Sequence, residues 1–145
     1  MQKNSSAEGG DTTSSTNIAS LWLRLGLGVA MLPHGYEKLT HFAELKNSFM
    51  SFLGLSDPVS LALAIGAELF CSILLAIGLL TRLVLIPLII TAFVIVFVAH
   101  RGDIVGEGAA GFLLLVGYIT SLLLGAGKYS VDAVISKKTD HRFSF

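Results

Sequence analysis

The chain has 145 residues, of which 53% are hydrophobic and only 14% charged, with ten basic side chains balancing ten acidic ones. Zero net charge removes the electrostatic attraction that nucleic-acid binding needs, so nucleic acid is excluded as a partner. One cysteine, Cys71, excludes an internal disulfide and any CxxC dithiol, so redox chemistry would have to come from a bound cofactor, a quinone or a partner protein.

In chain order, residues 1–16 are rich in Ser, Thr and Gly and read as a disordered tail. They lack the basic n-region of a secretory signal, and the apolar segment after them carries Arg24 with no small-residue cleavage site, which predicts a retained helix. Four apolar stretches then follow, at 18–36, 58–80, 83–99 and 108–126. A helix of about 18 or more apolar residues is long enough to cross a hydrocarbon core of roughly 30 Å. The expected fold is therefore all-α, an integral membrane four-helix bundle of one domain (17–132), closed by a polar C-terminal tail (133–145).

Thr16 or Asn17 is placed to cap the first helix, and Ser20, Arg24, Gly28 and Gly35 recur near one face, where small residues allow close helix approach. Pro33 is expected to loosen that helix before the segment from His34 to Lys38. In the loop that follows, Phe42, Leu45, Phe49, Met50, Phe52 and Leu53 alternate with Glu44, Lys46 and Asn47, predicting a short amphipathic helix in the outer interface that ends at Gly54. Asp57-Pro58 opens the second span, with Pro at a tolerated first-turn position. The brief link at Thr81 and Arg82 makes the second and third spans antiparallel neighbours. Residues 83–99 carry one polar side chain, Thr91, and read as lipid-facing nearly all round. The fourth span starts near Glu107 and ends at Gly125-Ala126-Gly127, where glycine can take the left-handed cap conformation.

Two groups of polar residues carry the functional expectation. Glu68 falls at the centre of the second span, with Cys71 and Ser72 on its face three and four residues on. Ionisable groups cost about 2.5–3.5 kcal/mol at the centre of a span, so they persist where packing or function requires them. Arg24 is long enough to reach toward that carboxylate, as a structural ion pair; alternatively it snorkels to inner headgroups and Glu68 stays protonated, facing a cavity. Tyr118, on one face of the fourth span with Glu107, Gly111, Ser121 and Gly125, adds a phenol to this intramembrane polar site. The second group gathers toward the outer side: His34, Lys38, His100 and Glu107. No metal-binding spacing occurs, so His34, His100 and Glu107 are only weak metal ligands, and each of the four can equally be an ordinary interfacial residue.

Lys and Arg counts orient the chain. With the N-terminus inside, Lys3, Arg82, Lys128, Lys137, Lys138 and Arg142 lie inside, against Lys38, Lys46 and Arg101 outside, which predicts cytoplasmic N- and C-termini.

Taken in order, the Arg24-bearing first helix, HGYEKL (34–39), FLGLSDP, AELFCSILLAIGLLTRL (67–83), GEGAAGFLLL (106–115) and GAGKYSVD (125–132) resemble the DoxX family of small four-helix membrane proteins. The family-like positions are Arg24, His34, Gly35, Lys38, Glu68, Arg82, Glu107, Gly125 and Asp132, while FLGLSDP departs slightly from the commoner Gly-Leu-Pro. The resemblance implies a bacterial inner-membrane protein associated with quinone-linked redox or oxidative-stress complexes, or with metal-binding peptides. The expectation is a redox-associated accessory subunit, with quinone as the one cofactor suggested and a partner oxidoreductase supplying the catalysis. The chain has no haem, flavin or iron–sulfur ligand set of its own. The alternatives are a non-catalytic membrane anchor or assembly partner for a metal- or peptide-handling system, and a small transporter acting as a homo-oligomer.

Overall fold

The computed structural model describes residues 5–140, and among them it holds helices joined by turns and no strand. The helices are α1 (Ser5–Thr40), α2 (Phe42–Leu45), α3 (Asp57–Ile77), α4 (Thr81–Ala99), α5 (Ala109–Leu124) and α6 (Val131–Asp140). Two of them, α3 and α4, are long and apolar enough to cross a membrane, and α5 is a shorter apolar helix. The first helix packs against α3 and α5, and α4 packs against the same two.

Leu27, Met31, Leu75, Leu85, Leu88 and Tyr118 fill the centre between these four helices. Trp22, Phe70, Leu83, Ile86, Leu113 and Leu123 point outward and are exposed. Large apolar side chains spread over the outside of every long helix are the pattern of a surface whose solvent is apolar.

Small residues set the spacing between α1 and α3. A methyl group at Gly28 would sit 2.8 Å from the Ser72 carbonyl oxygen and 2.9 Å from Ala76 Cβ. One at Gly35 would sit 2.8 Å from Leu69 N and 2.9 Å from the Glu68 carbonyl carbon. Both glycines, with Ser20 and Arg24, are buried on one face of α1, as their spacing predicts.

The structure departs from the sequence reading in five places. Helix α1 starts at Ser5, well inside the segment expected to be a tail. Thr16 and Asn17 do not cap it: their side chains turn back onto the carbonyls of Thr12 and Thr13 and are satisfied within the helix. Pro33 does not end it either, and the segment from His34 to Lys38 completes its last turns. A proline removes one backbone donor, here facing an exposed side of the helix at Val29, while the buried face keeps its packing. The outer loop holds only the four-residue α2, and Leu53 and Gly54 then take positive φ of 51° and 76° to turn the chain toward Asp57. Finally, the C-terminal segment forms the ten-residue α6. Lys3, His141 and Arg142 lie outside the described residues.

Candidate functional site

Glu68 lies in a stretch of α3, Gly66–Cys71, wound as a π-helix. Such wide turns insert one residue into the i→i+4 ladder and recur at functional sites, because they swing a side chain off the regular helical face. Here the carboxyl is turned inward and is 1% exposed. Gly35 brings the α1 backbone against this stretch, and Lys38, three residues further along α1, closes on the carboxylate at 2.6 Å.

That pairing corrects the expected Arg24–Glu68 pair. Lys38, expected in the outer cluster, is the partner of Glu68, and the two groups read separately in the sequence meet through this one contact. Ser72, one turn along α3, is buried, and Cys71 is half-buried against the apolar core. Tyr118 from α5 lies within electrostatic reach of Glu68 and beside the Ser72 side chain. The hydroxyls of Ser72, Tyr118 and Ser121 are buried with no hydrogen-bond partner. A buried hydroxyl left unpaired costs about 1–3 kcal/mol, so this patch is a standing demand for a polar group.

Arg24 is fully buried at the opposite end of the helices. One guanidinium nitrogen donates to the Leu75 and Ala76 carbonyls, both at 3.3 Å, and the other to the Tyr129 carbonyl at 2.7 Å. Leu75 and Ala76 belong to the last turn of α3, at the negative end of the helix dipole, and the Leu75 carbonyl also accepts from Gly78 N–H at 3.0 Å. Asp132 completes the arrangement by accepting from Leu80 N–H at 2.8 Å and Thr81 N–H at 2.9 Å, which caps the start of α4 from a distant segment. Burial alone would raise the Asp132 carboxyl, but the Thr81 and Leu80 N–H groups and the Arg24 charge hold it below the usual carboxylate range. Between them Gly78 takes a φ of 74°, and a side chain there would collide with Arg24 and Ser130. The same end is tied further by Ser20, whose hydroxyl donates to the Gly125 carbonyl, and by Asn17, which accepts from Lys128 N–H.

The rest of the outer cluster does not assemble. His34 is exposed on α1, next to Gly35 but turned from the face that meets α3. His100 folds back on its own helix, its Nδ1–H donating to the Ile95 carbonyl at 2.7 Å. Glu107 is exposed before α5. Among the described residues no three His, Cys, Asp or Glu side chains gather to hold a metal, so His34, His100 and Glu107 form no ligand set.

Asp103 went unnoticed in the sequence reading. Its carboxylate accepts from Gly106 N–H at 2.8 Å and Glu107 N–H at 3.1 Å, and holds the turn into α5. An Asp followed three residues later by Gly is a turn signal that would have found it.

Long apolar helices packed around one ion-paired acid, with apolar side chains outward, define a helical protein of the membrane class. The DoxX family model matches residues 19–101, more than half of the chain, and the protein belongs to this membrane family. The match takes in Arg24, Lys38 and Glu68 and stops before Tyr118 and Asp132. Neither the curated proteins nor the solved structures hold a match to the chain.

Proposed function

We propose that the protein is a multi-pass subunit of a bacterial inner membrane whose long helices form a transmembrane four-helix bundle with both termini cytoplasmic. In this reading it serves a partner oxidoreductase by holding a quinone headgroup beside Glu68. One observation carries the proposal: the buried Glu68 carboxylate, paired with a half-buried Lys38, lies near the buried hydroxyls of Tyr118 and Ser72. A quinone carbonyl is an acceptor, and the buried Tyr118 phenol and Ser72 hydroxyl, lying side by side, are donors that can turn toward it. Lys38 and Glu68, paired at 2.6 Å, set two charged side chains beside the place the headgroup would take. The bound quinone would supply the electron-accepting chemistry; the chain supplies position, hydrogen bonds and a dry site.

The test is quinone content after purification in native lipid. Wild type retains quinone, whereas Glu68→Gln and Tyr118→Phe lose most of it at unchanged helix content. Equal retention in all three overturns the proposal.

The length of α1 favours a second reading, a non-catalytic anchor for a partner. Its 36 residues rise about 54 Å, well beyond the roughly 30 Å of a hydrocarbon core. The excess lies at its N-terminal end, where residues 12–16 are exposed. Loss of a co-purifying soluble protein on deletion of residues 5–16, with quinone retained, would assign that end to partner docking.

A further inference from the structure

We propose that α6 is an anionic-lipid sensor: an amphipathic helix lying in the inner interface, its apolar face in the acyl boundary and its lysines on lipid phosphates. The inference rests on the membrane reading above and is independent of the quinone site.

The geometry begins at the end of α5. That apolar helix stops at Leu124, and Gly125 and Gly127, both with positive φ, turn the chain so that α6 begins at Val131. Only a few residues separate the last apolar turn from α6, which places α6 at the depth of the headgroups. The start of α6 is fixed. Ser130 Oγ accepts from Ala133 N–H at 3.1 Å, Asp132 N–H donates to the Gly78 carbonyl at 2.9 Å, and the Asp132 carboxylate holds the start of α4.

That attachment decides which face is left over. Asp132 and Ala133 are half-buried toward the body of the protein, while residues 134–138 are all exposed. Val131, Val134, Ile135 and Lys138 share the side opposite that attachment by i, i+3, i+4, i+7 spacing, and Lys137 flanks them. Val134 and Ile135 are 54% and 49% exposed, and Tyr129, just before the helix, is 48% exposed. Residues 128–140 contain three lysines and two acids, of which Asp132 is engaged inward on α4. Arg82, beside the Asp132 contact, is also exposed.

Charge selects the occupant. A second copy would set lysines against lysines across an apolar face, whereas an anionic lipid surface meets both components. Apolar side chains with lysines at their margin are the composition of an in-plane helix, and each lysine near such a surface adds about fivefold to binding, or about 1 kcal/mol.

The test uses the full chain with Cys71→Ala, carrying an environment-sensitive dye at Val134→Cys or at Ser136→Cys, in zwitterionic or phosphatidylglycerol-rich nanodiscs. Lipid-borne nitroxides serve as quenchers. Trp22, exposed on α1 and the sole tryptophan, reports separately whether the chain is embedded. The expected result is quenching at Val134 in phosphatidylglycerol-rich discs, with Ser136 remaining wet. Lys128→Gln, Lys137→Gln and Lys138→Gln should each lower the ratio of buried to exposed dye by roughly fivefold. Quenching of Trp22 with Val134 left in water in both lipids overturns the inference and leaves the membrane reading standing. Burial of Val134 that follows protein concentration and ignores lipid charge overturns it in favour of a second copy. No quenching at Trp22 overturns the membrane reading, and the inference with it.

Discussion

The two charged centres of this protein are built from different materials. At the inner end, Arg24 and Asp132 find their partners in backbone carbonyls and N–H groups drawn from α3, α4 and the segment after α5. At the other end, the outer one in the proposed orientation, Lys38 and Glu68 find each other; buried polar atoms without a partner occur near both centres, Arg24 Nε and Thr81 Oγ1 at the first, the Ser72 and Tyr118 hydroxyls by the second. Peptide groups neither titrate nor swing away, so the inner centre has one arrangement and serves to lock the helices. Two side chains on separate helices can part, exchange a proton or accept a third group. One end is fixed by peptide groups and the other by two side chains, although both bury a charge.

Breaking the inner centre should cost most. Arg24→Met is expected to destabilise the protein by about 4 kcal/mol, because the carbonyls of α3 and Tyr129 lose a charged donor they cannot replace. Denaturant titration in mild detergent micelles measures this. At the outer centre the expected behaviour is different. Lys38→Met alone leaves a buried carboxylate uncompensated and costs about 3 kcal/mol, yet pairing it with Glu68→Leu should restore stability to within about 1 kcal/mol of wild type. A double variant as unstable as the single one would show that the outer pair is a lock as well. Gly35→Ala should cost about 2 kcal/mol, since the added methyl meets α3 backbone, which cannot yield as a side chain would. Its sharper readout is reduced quinone retention, as α1 moves outward and takes Lys38 with it.

The smallest effect expected is at Asp132. Replacement by Asn should cost about 1 kcal/mol at neutral pH through a weaker cap. Its folded-state pKa is lowered, so its contribution is fully present above the unfolded value of about 3.9 and fades as pH falls through the lower folded value. Thermal unfolding followed down from neutrality should show the gap between wild type and Asp132→Asn narrowing below about pH 4. A gap that stays constant would mean that the carboxyl charge plays no part in the inner centre.

The helical class, the buried face of α1 and the inward turn of Glu68 were legible because they rest on residue type and period. The partners were not. Arg24 hydrogen-bonds to carbonyls of Leu75, Ala76 and Tyr129, and every residue has a carbonyl, so nothing in the letters marks those three. Lys38 could have been found. It stands 14 residues after Arg24, close to four full turns, and lies on the same face of an unbroken helix. Taking Pro33 as an interruption discarded that register. The π-helical stretch around Glu68, which lies against Gly35, had no signal in the residue pattern. The helical start of α1 was hidden by composition, since its Thr and Asn side chains satisfy themselves on carbonyls one turn back.

The contact between Arg24 and Tyr129 spans 105 residues of chain. While the protein is being made, the guanidinium meets the α3 carbonyls as soon as the first helical hairpin closes, but its shortest hydrogen bond must wait until Tyr129, 105 residues later, has left the ribosome. Assembly is thereby completed from the C-terminal side. A chain that stalls or is clipped before Tyr129 keeps its apolar spans yet carries an incompletely satisfied cation among them, a mark by which quality-control proteases could tell it from the finished product.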